Sequence, residues 1–246
     1  MPMNPRLLRP RASGFNPKSI SGLALWLDAS DSTTVTTATG VSEWRDKSGN
    51  GRNFTQTTEN NQPALTANAR NGRAVLTLDG TNDSLSGPAG FSLTSTHSVF
   101  AVVNPSVRKI AAFLAGSVNV ELIYGDGSSS FSGTKFAAFG VARAVYGGGT
   151  ITTGTYQVVS AVCSGGTLPS NLSMWTNGVG GPVSTETAGT APVAAVTSPL
   201  SIGTSAASQF WNGVIAEIVI YDRSLSTADR QSVERWLGRK WGVSVA

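Results

Sequence analysis

Phe210-Trp211-Asn212-Gly213-Val214-Ile215-Ala216-Glu217-Ile218-Val219-Ile220-Tyr221-Asp222-Arg223-Ser224-Leu225-Ser226 is the stretch from which the rest of the chain can be read. Between Val214 and Tyr221 a single charge, Glu217, sits among branched and aromatic side chains, which is the composition of a buried strand. Ser226 then suits a helix N-cap, and Asp229 places a carboxylate where the helix dipole is positive. Val233, Trp236, Leu237 and Trp241 recur at spacings of three and four, so one helix is predicted from Thr227 to about Lys240, with Gly242 as its stop. Both tryptophans of that helix are read as core anchors.

Upstream, strand signals follow one another without helices between them. Leu23–Asp28 alternates, with Leu23, Leu25 and Leu27 on one face. Further strands are predicted at Ala74–Leu78, Ser98–Val103, Val118–Tyr124, Tyr156–Val162 and Leu172–Thr176. Asn177-Gly178 supplies the positive φ values that a tight type I′ hairpin needs. The 28 glycines and only 13% charged residues suit short strands joined by turns, so the class is an all-β sandwich or barrel. No apolar run reaches 18 residues, so no membrane span is expected. Cys163 is the only cysteine; it lies in phase with Val159 and Ala161 and reads as a buried structural thiol rather than part of a disulfide framework.

The net charge of +4 is local. Arg6, Arg9, Arg11 and Lys18 precede the first acid, Asp28, and the remaining 14 basic and 14 acidic residues cancel. The body therefore offers no broad face for nucleic acid. Residues 1–20 hold four prolines and few apolar residues, and are read as an extended basic arm before a domain at 21–246. Lacking an apolar stretch, Met1–Gly14 is not read as a secretory signal. In the arm, Arg6, Arg9 and Arg11 would pair with acidic groups of a partner while Leu7, Leu8 and Phe15 fill apolar pockets.

The order of five motifs resembles a known family: Leu25-Trp26-Leu27-Asp28-Ala29, then Trp44-Arg45-Asp46-Lys47-Ser48-Gly49-Asn50-Gly51, Leu78-Asp79-Gly80-Thr81-Asn82-Asp83, the Asn177-Gly178 hairpin, and the stretch quoted first with its helix. This arrangement, over roughly residues 20–246, is similar to the LamG-like jelly rolls of the concanavalin A-like lectin/glucanase superfamily. The resemblance implies a two-sheet antiparallel jelly-roll sandwich, here with an N-terminal arm and one C-terminal helix, and ligands at the concave face or rim loops. It also implies kinship with lectins, adhesins and tailed-phage virion proteins, so fold alone does not fix function.

Few residues offer catalytic chemistry. Glycan hydrolysis needs a close pair of carboxylates, but Glu217 and Glu121 are each alone on their strands, and Glu43 and Asp46 are three apart. Asp79 with Asp222 is the long-range pair left open. His97 is the only histidine and reads as a strand-edge residue; with one His and one Cys, a zinc site lacks ligands. Gly147-Gly148-Gly149 lacks the following Lys-Ser/Thr of a phosphate loop. Asp46 and Asn50, with Asp79 and Asp83, could supply oxygens to calcium at a rim, or could serve as Asx-turns. Trp26 and Trp175 could be sugar platforms and are read as core.

The expectation is a non-enzymatic virion structural or decoration protein of a tailed bacteriophage. It would be assembled in the host cytoplasm and attached to a capsid or tail protein through its arm, with self-association open. The alternative is a carbohydrate-binding adhesin or receptor-binding module that takes a host surface glycan. Neither nucleic acid nor membrane is expected as a partner, and no cofactor is required unless calcium binds.

Overall fold

The structure, a computed structural model, describes residues 14–107, 111–115, 120–124, 135–138, 145–146, 152–168, 170–182, 184–185, 191–192, 200–205 and 209–246. Strands are numbered in chain order. An eight-stranded antiparallel sheet contains β1 (Leu23–Asp28), β5 (Ala64–Arg70), β6 (Arg73–Asp79), β8 (Thr96–Pro105), β13 (Gln157–Ser164), β15 (Leu172–Thr176), β16 (Val179–Pro182) and β22 (Asn212–Tyr221). A ten-stranded sheet contains β2 (Val35–Thr37), β3 (Val41–Trp44), β4 (Phe54–Thr55), β7 (Leu85–Ser86), β9 (Ala111–Ala115), β10 (Val120–Tyr124), β11 (Lys135–Ala138), β12 (Val145–Tyr146), β17 (Ser184–Thr185) and β19 (Ser201–Ile202). Two small ladders join β14 (Thr167–Leu168) to β18 (Ala191–Pro192) and β20 (Thr204–Ser205) to β21 (Gln209–Phe210).

The first sheet runs in the order β16-β15-β13-β8-β22-β6-β5. One edge of β22 is shared: residues 212–215 pair with β6 and residues 217–221 with β1. The second sheet runs β17-β12-β11-β10-β9-β19-β7-β4-β3-β2. The architecture is the predicted jelly-roll sandwich, and its closing helix, α1 (Thr227–Trp241), is the predicted one. Ser226 caps it by accepting from the Asp229 N–H, and Gly242 ends it in the left-handed conformation at φ 64°. The Asn177-Gly178 turn has φ values of 52° and 80°, as a type I′ hairpin requires.

The first sheet carries a core on each face. Between the sheets, Leu25, Leu27, Leu76, Val103, Ile215 and Ile218 meet Trp44, Phe54, Leu85, Leu114 and Ile202 of the second sheet. Cys163, Ala161 and Val159 lie in this layer, as their phase predicted, and burial pushes the thiol up to about 12. On the other face, Trp26, Phe100, Val219 and Tyr221 are covered by Val233, Leu237 and Trp241 of α1. Register breaks set which residue faces which core. A break between Leu23 and Leu25 turns Leu23 away from Leu25 and Leu27, against the simple alternation expected, and packs it under the helix. A second break at Ala216 leaves Ile215 and Ile218 both facing inward and so directs Glu217 outward.

Many strands of the second sheet were not predicted. Most have only two to five residues, too few to show a period of two. Of the predicted strand Val118–Tyr124, residues 118 and 119 lie outside the described residues, as do Arg6, Leu7, Leu8, Arg9 and Arg11 and the Gly147–Gly149 turn. Phe15 is described, and it packs on its own chain against Trp236 with ring centroids 6.0 Å apart, instead of standing free for a partner. Pro17 and Ile20 are buried, and the Tyr221 hydroxyl donates to the Pro17 carbonyl at 3.0 Å. Residues 15–20 thus pack on the body because their apolar side chains find the rim of the helix-covered core.

Candidate functional site

One helix does not cover the whole outer face, and beside its first turn the consequence falls on Trp175. Four of the six tryptophans, Trp26, Trp44, Trp211 and Trp241, are buried. Trp236 is wedged between Phe15 and Trp26. Trp175 is half-buried on the outer face of β15, opposite Ser160 of β13, where core burial was expected. Its outward phase follows from strict alternation in β15, whose Leu172, Met174 and Thr176 take the inner positions.

Trp175 lines a pocket of about 220 Å³ with Ser164, Asn171, Ser173, Thr227 and Arg230. Leu225 and Val162 supply apolar wall, and among the described residues no carboxylate lines it. The Arg230 guanidinium lies 3.9 Å from the Trp175 ring centroid, and its Nη1 donates to Glu234 at 2.7 Å. Ser160 donates to the same carboxylate, so Glu234 fixes the guanidinium from below. Arg230 Nε is buried with no hydrogen-bond partner, which leaves one donor to be satisfied. Asn171 is oriented by its own bonds: its Nδ2 donates to the Thr167 carbonyl at 2.8 Å and its Oδ1 accepts from Ser164 Oγ at 3.2 Å. An aromatic wall, hydroxyls, an amide and a fixed guanidinium thus converge on one small cavity. Sequence reasoning missed Arg230 because only tertiary packing brings the first turn of the helix over β15.

The expected calcium ligands do not gather. Asp46 Oδ1 accepts from the N–H groups of Trp26 and Ser48, and Oδ2 from Ser48 Oγ and the Arg52 N–H. Asn50 donates to the Leu23 and Ala24 carbonyls. Asp79 accepts from the N–H groups of Thr81 and Asn82, and Asp83 from that of Asp79. Through Trp26 the first pair lies opposite Val219, and the second lies opposite Asn212, so roughly 20 Å of strand separates them. The four do not fit one ion together, and among the described residues no group of three or more His, Cys, Asp or Glu is placed to hold a metal. Asp83 is held above the usual range by burial and by the nearby Asp79 carboxylate, despite the Asp79 N–H it accepts.

The carboxylate pairs sort themselves by register. Asp79 sits at one end of β22 and Asp222 beyond the other, so they do not meet. Glu43 and Glu121 occupy one lateral row of the second sheet, through Thr55, Ser86, Ser201 and Ala115, five strand spacings or on the order of 20 Å apart. That exceeds the 5–10 Å or so of a glycosidase pair. The pair that sequence reading missed is Asp28 with Glu217, register partners on β1 and β22. Both are buried beneath α1 with Lys240 between them. His97 is 1% exposed inside the sheet, not at an edge, and its Nδ1 is 2.8 Å from the Thr94 carbonyl. Burial holds its pKa below the ordinary value.

A family model described as the concanavalin A-like lectin/glucanases superfamily matches residues 79–229. The chain belongs to that superfamily. No curated protein sequence matches it. Among solved structures, Trypanosoma rangeli sialidase with the inhibitor DANA aligns over 87% of this chain at 16% identity and a TM-score of 0.57. The chain spans only 33% of that sialidase. Domain 4 of AbnA, an extracellular arabinanase from Geobacillus stearothermophilus, was solved with arabinotriose; it aligns over 86% of this chain and 97% of its own at 15% identity, TM-score 0.58. The binding domain of botulinum neurotoxin serotype D aligns over 91% of this chain and 54% of its own at 11% identity, TM-score 0.56. At these identities the superfamily fold is what the chain shares with them. That fold occurs both in structures of glycosidases and in binding domains.

Proposed function

We propose that this superfamily member is a non-catalytic carbohydrate-binding domain whose sugar site is the Trp175–Arg230 pocket. The observation that carries the reading is the half-buried Trp175 ring beside an oriented Asn171 and a guanidinium of Arg230 that Glu234 holds in place. An aromatic face takes the apolar side of a sugar ring, and the surrounding donors and hydroxyls take its oxygens. A cavity of about 220 Å³ suits one terminal or branch sugar rather than a chain laid along a groove. The arabinotriose-bound arabinanase domain, similar over nearly its full length, supports the class of ligand. Among the described residues no carboxylate lines the pocket, which fits binding without turnover. Glycan-array screening of the intact chain, followed by titration calorimetry on the best sugar, tests the reading. Trp175→Ala should weaken binding at least about tenfold. Unchanged affinity in that variant would move the site elsewhere, and hydrolysis of the ligand would overturn the non-catalytic reading.

A second reading, attachment of the domain to a phage capsid or tail protein, is favoured by the four positive charges that precede Asp28. Because Phe15 and Pro17 root the segment on the body, a truncation before Phe15 removes Arg6, Arg9 and Arg11 and keeps that root. Loss of co-sedimentation with depleted particles upon that truncation supports attachment; equal sedimentation of both forms defeats it.

A further inference from the structure

Beneath the helix, five charges alternate in sign from rim to core. Lys47 Nζ is 2.7 Å from Asp31 Oδ2 and 2.8 Å from Asp28 Oδ2. Lys240 Nζ is 2.7 Å from Asp28 Oδ1 and 2.7 Å from Glu217 Oε2. Trp26 Nε1 donates to Glu217 Oε1 at 2.7 Å and Trp241 Nε1 to Oε2, so the carboxyl of Glu217 is fixed among indole rings. The side chains of Asp28 and Lys240 are 5% and 13% exposed, and that of Glu217 not at all. Helix docking alone does not call for this arrangement, since burying several charges costs more than burying apolar groups of the same size.

We propose that Lys240 and Asp28 join in an intramolecular isopeptide bond, with Glu217 moving the proton and Lys47 holding the carboxyl oxygen that develops charge. Glu217 takes a proton from the Lys240 ammonium, and the freed Nζ lone pair attacks Asp28 Cγ. Lys47, against Oδ2, stabilises the tetrahedral oxyanion. Oδ1 leaves as water, carrying two of the three ammonium protons, the first by way of Glu217. The third remains on the amide nitrogen. An ammonium and a carboxylate thus become a neutral amide and one water, with no change of oxidation state. Burial and the Asp28 carboxylate push Glu217 up to about 7, so it can accept and return a proton near neutrality. Proximity supplies the rest: nucleophile and electrophile are held in contact by three elements, β1, β22 and α1. The reaction removes two charges from an apolar site, which favours the product. It would close a covalent loop around nearly the whole domain, from the first strand to the last helix.

The bond is read from the chain's own covalent mass. Trypsin cleavage of the denatured protein after Lys18, Arg45 and Arg239 yields peptides 19–45 and 240–246. If the bond forms, they are recovered as one branched species lighter than their sum by one water, with Lys240 resistant to trypsin. Mapping at the peptide level separates this from water lost by succinimide formation at Asp79-Gly80. Glu217→Gln, which keeps the size of the side chain, should slow linkage by about a hundredfold. Full recovery of unlinked peptide 19–45 from the wild-type chain would overturn the proposal. Undiminished linkage in Glu217→Gln would overturn the role given to Glu217. A variant that fails to fold leaves the wild-type measurement decisive.

Discussion

The two faces of the eight-stranded sheet are built from alternate residues of the same strands, yet they are sealed in different ways. The inner face meets another sheet and is mainly apolar, from Leu25 and Ile218 across to Trp44 and Phe54, with His97, Gln157 and Thr176 as its buried polar residues. The outer face meets one helix, and there Asp28, Glu217, Arg230 and Glu234 are buried, and Lys240 half-buried, among Trp26, Tyr221 and Trp241. A sheet can cover a sheet completely, whereas a single helix leaves flanks. Charged groups on those flanks fix where the helix lies, and the uncovered corner becomes the Trp175 pocket. Ion pairs of this kind favour one docking geometry more than they add stability.

Adjacent residues of β22 make the sharpest comparison, because Glu217 and Ile218 are both fully buried and point to opposite faces. Measured against the chain with Lys240 and Asp28 unlinked, Glu217→Ala strands Lys240 and two indole N–H groups, and should cost about 3–5 kcal/mol in denaturant unfolding. Ile218→Ala leaves a cavity between the sheets and should cost about 2–5 kcal/mol, with no dependence on pH. If the two costs respond alike to pH, the contrast between the faces fails.

The pH response follows from the signs of the shifts. The folded state holds Glu217 up at about 7, above its ordinary value, so it binds the proton more tightly than the unfolded chain. Its contribution is present at acid pH and is lost as pH rises from about 4.5 to 7, on the order of 3 kcal/mol. Asp31, held at about 2 by Lys47 and Thr33, works oppositely: its contribution is present above its ordinary value of 3.8 and is lost as pH falls towards 2. Unfolding curves between pH 2 and about 8 should therefore show a maximum in the weakly acid range. Glu217→Gln should flatten only the upper limb.

Smaller effects test the helix itself. Ser226→Ala removes the cap and should cost about 1 kcal/mol by thermal unfolding, without altering sugar affinity. Trp175→Ala should invert that pattern, changing stability by less than about 1 kcal/mol while affinity falls. Trp175 is already half-exposed, so truncating it opens little new cavity.

Alternation made β1, β13, β15 and β22 legible because each is at least five residues long and has neighbours on both faces. The terminal helix was legible from its cap, its apolar stripe and its glycine stop. The candidate site was only partly legible. Trp175 could be named as a platform, but Arg230, Asn171 and Ser164 reach it from other elements, and nothing in their local sequence marks them. Asp28 and Glu217 each looked solitary because they are 189 positions apart and become neighbours only through strand pairing.

The sequence by itself determined the all-β class, the phase of β13 and β15, the type I′ hairpin, the buried Cys163 and the capped helix. Each follows from periodicity or from backbone preferences that act over a few residues. Tertiary structure alone decided that Glu217 faces the helix, since that direction depends on a one-residue register break at Ala216 against β8. It also decided that Asp28, Glu217 and Lys240 share one site and that Trp175 is left partly uncovered. These outcomes depend on which strands pair and how far one helix reaches across them, and no local pattern encodes either.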